Sequence, residues 1–105
     1  MPLRHVTGTR ELDLLDEHGR RSGTVTVSIG LPYLDAEGIW RCDFEIAGLE
    51  FTQPFAVSAG DSIGALQGAL TVIAGTLAGS EAGRAGRLRL DGHDDLGFPM
   101  FRPAP

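Results

Sequence analysis

From Ser62 to Ser80 the chain carries no charged side chain, although the protein as a whole is acidic. The stretch SIGALQGALTVIAGTLAGS is therefore the strongest constraint on the fold. Ile63, Leu66, Leu70, Ile73 and Leu77 are spaced by three or four residues, which at 100° per residue gives a single apolar stripe on a helix. Asp61 or Ser62 supplies the N-cap, and Asp61 complements the positive end of the helix dipole. The helix is expected to end at Gly79-Ser80 or to run on to Gly83. Gly64, Gly68, Gly75 and Gly79 fall opposite the stripe, and each interior glycine costs about 1 kcal/mol of helix propensity relative to alanine. The expectation is that the aliphatic stripe faces inward and the glycine side faces out.

An amphipathic helix needs a layer to cover, and the first half of the chain supplies one. Leu12 and Leu14 alternate with Glu11 and Asp13. Val25, Val27 and Ile29 alternate with Thr24, Thr26 and Ser28. Trp40, Cys42, Phe44 and Ile46 share a face opposite Arg41, Asp43 and Glu45. Period-two alternation marks half-buried strands. Asp16-Glu17-His18-Gly19 and Asp35-Ala36-Glu37-Gly38 read as turns between them, and Ala47-Gly48 begins a third reversal. Phe51, Phe55 and Val57 continue one face with Gln53 as the polar exception, and Pro54 suits an edge strand or a bulge. Arg87 to Leu90 alternates as a fifth strand, followed by a polar turn from Asp91 to Asp95. The predicted fold is α+β with two layers: an antiparallel β-meander of four to five strands packed on one long α-helix. Residues 1–105 form a single domain, with about 1–8 and 100–105 loosely ordered.

Composition narrows the function more by exclusion than by assertion. The net charge of −5 disfavours nucleic acid, whose phosphates call for a basic surface. The nine basic residues are all arginine, and asparagine is also absent, which fits a GC-rich genome. The single cysteine, Cys42, forms no internal disulfide and fits a cytoplasmic setting. The N-terminal residues lack the apolar run of a secretory signal. The uncharged helix approaches a membrane span in length, but Gln67, its threonines and its glycines argue against one.

The candidate sites are few. Small uncharged residues at Gly64, Gly68, Thr71, Val72, Gly75 and Gly79 form a face suited to close contact with a second copy or another protein, so a homo-oligomer is expected. His93, Asp94 and Asp95, beside Asp91, are weak candidates for a metal, because successive residues seldom converge on one ion. Cys42 shares the Trp40/Phe44 face and reads as a buried hydrophobe rather than a nucleophile. Trp40 reads as a core anchor whose indole N–H needs a partner. No nucleotide, hydrolase or zinc-protease motif appears, so no cofactor is expected and nothing calls for an enzyme.

Three segments, YLDAEGIWRCDFEIAGL, DSIGALQGALTVIAGTL and GRLRLDGHDDLGFP, resemble a family of small uncharacterised bacterial proteins, a domain of unknown function. The resemblance runs from about Ile29 to Pro99. It rests on a Trp-x-Cys strand, an A-L-Q-x-A-L helix and a D-L-G-F-P terminus. This chain has Gly68 where the family pattern often has a large aliphatic. The resemblance implies a bacterial cytosolic origin and the same compact fold, and it carries over no catalytic residues. Three functions are then in play: a non-catalytic protein that self-associates or binds a partner; an immunity-type inhibitor whose Asp43, Glu45, Asp94 or Asp95 meet a basic toxin; and a small metal protein or enzyme using His93 and its aspartates.

Overall fold

Two turns of the same chemistry set the meander. In the computed structural model, which describes residues 5–50 and 54–99, β1 (Val6–Leu15) and β2 (Arg21–Gly30) are joined through Asp16. Its Oδ1 accepts from the backbone N–H of His18 and Arg20, each at 2.9 Å. Asp35 repeats this with the N–H groups of Glu37 and Ile39, between β3 (Tyr33–Leu34) and β4 (Trp40–Ala47). Gly19 and Gly38 occupy the left-handed position that such three-residue loops require, at φ +77° and +81°.

The protein is α+β: among the described residues, an antiparallel sheet of about six strands with one long helix. One side of β4 pairs first with β2 and then, beyond Leu31-Pro32, with β3. Its other side pairs with β5 (Pro54–Ala59). β1 lies outside β2, and the two-residue β6 (Leu88–Arg89) lies outside β1. Pro54 thus opens an edge strand, where its missing N–H is tolerated. The alternation read from the sequence holds: Leu12 pairs with Val25, Val27 with Ile46 and Cys42 with Val57, and Leu12, Val25, Cys42, Phe44 and Ile46 are all fully buried on one face. Phe44 stacks on Phe55 with centroids 5.0 Å apart.

The helix α1 (Ser62–Gly79) has the predicted ends. Asp61 caps it by accepting from Gly64 N–H at 2.6 Å. Ser80 closes it and caps the short α2 (Glu81–Arg84) that follows. Its orientation corrects the sequence reading. The innermost row is Ala65, Ala69, Ile73 and Leu77, each with no exposed surface, whereas Ile63 is 66% exposed. The sheet already brings Phe44, Ile46, Phe55 and Trp40 to this space, so the helix turns its alanines toward them and a large-on-small contact results.

The sheet also has two covers rather than one. α1 lies on β4 and β5. The segment from Leu90 to Phe98 folds back over the β1 side, with Leu90, Leu96 and Phe98 packed on the core. Arg10 holds it there: Nη1 donates to Leu96 C=O at 3.1 Å, and the guanidinium sits 4.7 Å from the centre of the Phe98 ring. Gly97, at φ +76°, has Arg10 Nη1 within 2.8 Å of where a Cβ would stand. β1 starts at Val6, and the strand expected over residues 87–90 shortens to Leu88–Arg89. Gln53 and the 100–105 tail lie outside the described residues.

Candidate functional site

The rotation of α1 moves the glycine stripe from the outer face to the flank beside β5. A Cβ at Gly68 would come within 2.7 Å of Val57 Cγ1, and one at Gly64 within 3.2 Å of the Ala59 Cβ. Gly64 and Gly68 are therefore not on an open surface, as the sequence had suggested, but fit α1 down onto the edge strand. As the helix advances from Gly64 to Gly68 its partners step back from Ala59 to Val57, so α1 runs antiparallel to β5. Thr71, Val72, Gly75 and Gly79 are exposed, and nothing lies within 4 Å of a Cβ at Gly75 or Gly79. The hydroxyls of Thr71 and Thr76 donate to the carbonyls of Gln67 and Val72, at 3.0 and 2.7 Å, so they are satisfied within the helix. The flank is thus small, chargeless and poor in free hydrogen-bonding groups. By length and composition alone α1 could cross a membrane, with mean hydropathy 1.4, and 28% of the segment is buried in the fold.

This flank continues into β5 without a change of character. Between Glu50 and Glu81 the only charged residue is Asp61. The other edges differ: β3 and β6 are two residues long, and Arg87 and Arg89 flank or occupy β6. Sheet edges are commonly blunted by charge, shortness or proline; β5 is neither charged nor short, and its proline, Pro54, stands only at its first residue.

The metal candidates do not converge. Leu90 and His93 exchange backbone hydrogen bonds at 2.8 and 2.9 Å around Asp91-Gly92, a two-residue turn. Asp95 Oδ1 accepts from Gly97 N–H, and His93, Asp94 and Asp95 are exposed. Among the described residues no group of three or more His, Cys, Asp or Glu is placed to hold a metal ion. Cys42 is fully buried, with Sγ 3.5 Å from Gly30 C=O. Burial, and then the neighbouring Asp43 carboxylate, push its thiol pKa up, away from nucleophilic character. Trp40 is half-buried at the rim of the core.

Sequence reasoning missed several features. A cleft of about 580 Å³ lies between the two covers, with Leu77, Leu88, Leu96, Phe98, Arg89 and Asp94 among its lining residues. It forms because α1 and the C-terminal segment cover different strands, which no periodicity announces. Leu31 and Leu34, each 55% exposed, and the exposed Ile39 lie in or beside β3 along the chain. The Leu31-Pro32 break between strands was the available signal. The helix-free face carries Glu11, Asp43 and Glu45, and among the described residues none of these lies within ion-pair distance of an arginine. Asp43 does accept from Tyr33 Oη at 3.3 Å. Asp94 and Asp95 are on the C-terminal cover, so the four acidic residues considered for a basic partner do not form one patch.

Comparison with curated proteins and with solved structures finds no match. A family model described as a domain of unknown function (DUF6968) matches residues 8–100.

Proposed function

The chain belongs to the DUF6968 family, and on that premise we propose that it works without catalysis, by protein–protein contact, with a second copy of itself as the principal partner. The observation that carries this reading is the surface running along α1 and β5, with Asp61 its single charge between Glu50 and Glu81. Soluble proteins rarely leave such a surface bare, and a homodimer is the commonest use of one. The exposed residues Thr71, Val72, Gly75 and Gly79 form its outer part, while Gly64 and Gly68 seat the helix on β5. A bacterial, cytoplasmic setting goes with this reading, supported by the arginine-only basic residues and the single reduced cysteine. Sedimentation equilibrium tests it: a dimer at micromolar concentration is expected, and a monomer that persists at millimolar concentration overturns it. Co-sedimentation with phospholipid vesicles in place of self-association would assign the same surface to a membrane.

A second reading has its own support. Glu11, Asp43 and Glu45 on the open sheet face give a basic protein a complementary surface, which speeds encounter. An immunity-type inhibitor would use it in this way. Capture of a basic toxin-like protein from the native host, weakened by Asp43→Lys with Glu45→Lys, is the expected result. Capture unaffected by both changes counts against it.

A further inference from the structure

We propose that two copies join edge to edge through β5, antiparallel about a two-fold axis, so that their sheets become continuous and their α1 helices pack side by side above the seam. This rests on the self-association reading and specifies its geometry.

The β5 edge carries the argument. Among the described residues β5 pairs only with β4, and no described strand runs along its outer side. It is six residues long and uncharged, whereas the β3 and β6 edges are two residues long. An edge of this kind is a template for another strand.

Distance supplies the second strand of the argument. α1 rests on both β4 and β5, so its axis runs near the line between them. Strands in a sheet are about 4.8 Å apart, so pairing β5 with its copy sets the two helix axes about two spacings apart, roughly 10 Å. Packed helices sit at roughly 8–10 Å. Strand pairing and helix packing are thus satisfied by one arrangement. At that separation large side chains on the facing flanks would collide. Here the flank is Gly68, Val72, Gly75 and Gly79, with open space around Gly75 and Gly79.

Charge decides the occupant. A residue near a two-fold axis meets its own copy, so any charge there meets its like. The run from residue 51 to residue 60 and that from 62 to 80 have no charge, which a self-pairing surface requires and a surface for a charged partner does not. A contact along α1, about 27 Å, and along β5, about 20 Å, buries roughly 1,000 Å² in total, near the lower bound for a specific dimer.

The test uses the full chain and three variants, Ala56→Lys on the strand and Val72→Glu and Gly75→Glu on the helix. All three positions are exposed, so the monomer should keep its thermal unfolding temperature and circular dichroism. Each change is expected to raise the dimer dissociation constant about a hundredfold by placing like charges across the axis. Amide hydrogen exchange at Ala56 to Ser58 should slow with protein concentration, while exchange near β6 should not. A dimer that tolerates both Ala56→Lys and Val72→Glu, or concentration-dependent protection confined to the β3 or β6 edge, overturns this geometry and leaves self-association standing. A wild-type monomer overturns both. Should Val72→Glu fail to fold, Ala56→Lys and the exchange measurement still decide the matter.

Discussion

α1 and the C-terminal segment cover the same apolar face by different means. α1 buries a row of side chains, Ala65, Ala69, Ile73 and Leu77, with no exposed surface. The segment from Leu90 to Phe98 has only half-buried apolar residues on the core, and one arginine, Arg10, pins it. Burial of apolar area is shared among many contacts and ties a region to the global fold. A clamp of one hydrogen bond and one cation–π contact can open by itself. The lesson is that one layer of a small domain can hold parts of quite different stability, and the cleft lies on their boundary.

The sharpest contrast comes from truncating a side chain under each cover. Leu77→Ala removes fully buried atoms and should cost about 2–5 kcal/mol in denaturant unfolding, with the whole fold destabilised. A loss below about 1 kcal/mol would show that the helix cover is looser than its burial indicates. On the other side, Gly97→Ala forces a Cβ into a left-handed backbone and toward Arg10, and should cost about 1–2 kcal/mol. Arg10→Gln should cost about 1 kcal/mol, read mainly as faster exchange at the Leu90 and His93 amides with β4 unchanged. If β4 exchange rises equally, the segment is not an independent unit.

The smallest effect concerns pH. Glu50 Oε2 accepts from the Glu81 N–H at 2.9 Å, tying the β4–β5 connection to the start of α2. That hydrogen bond is the main reason its carboxyl pKa lies below the usual glutamate value, with its own backbone N–H and the nearby Arg84 and Arg87 adding to it. A lowered folded pKa means the tie is fully present above the ordinary glutamate pKa and is lost as pH falls through the folded value. The Glu81 amide resonance should therefore titrate at a pH below that of an unperturbed glutamate. The Phe98 ring resonances should stay still, because that ring packs against the Arg10 guanidinium and the core. Movement of both regions together would couple the two covers.

Much of the framework was legible because it rests on local chemistry. Asp16 and Asp35 with their glycines announced the turns, period-two alternation fixed which side of each strand is buried, and Asp61 marked the helix start. The rotation of α1 was not legible, because it depends on volume contributed by another element. Counting large aliphatics on the helix alone points Ile63 inward. The bulk of Phe44, Phe55 and Trp40 across the layer makes alanine the better neighbour. The Arg10 clamp was hidden for a similar reason: its residues stand 86 positions apart. The small-residue flank was legible in membership and not in direction, since Thr71, Val72, Gly75 and Gly79 are exposed while Gly64 and Gly68 press on β5.

The contact of Gly68 with Val57 makes these two positions trade volume. A relative with a bulkier residue at 68 must carry a slimmer one at 57, or lift its helix away from the strand. Natural variation at the two sites should then run in opposite directions, and a chain that enlarges both at once would sit with its helix higher above the sheet.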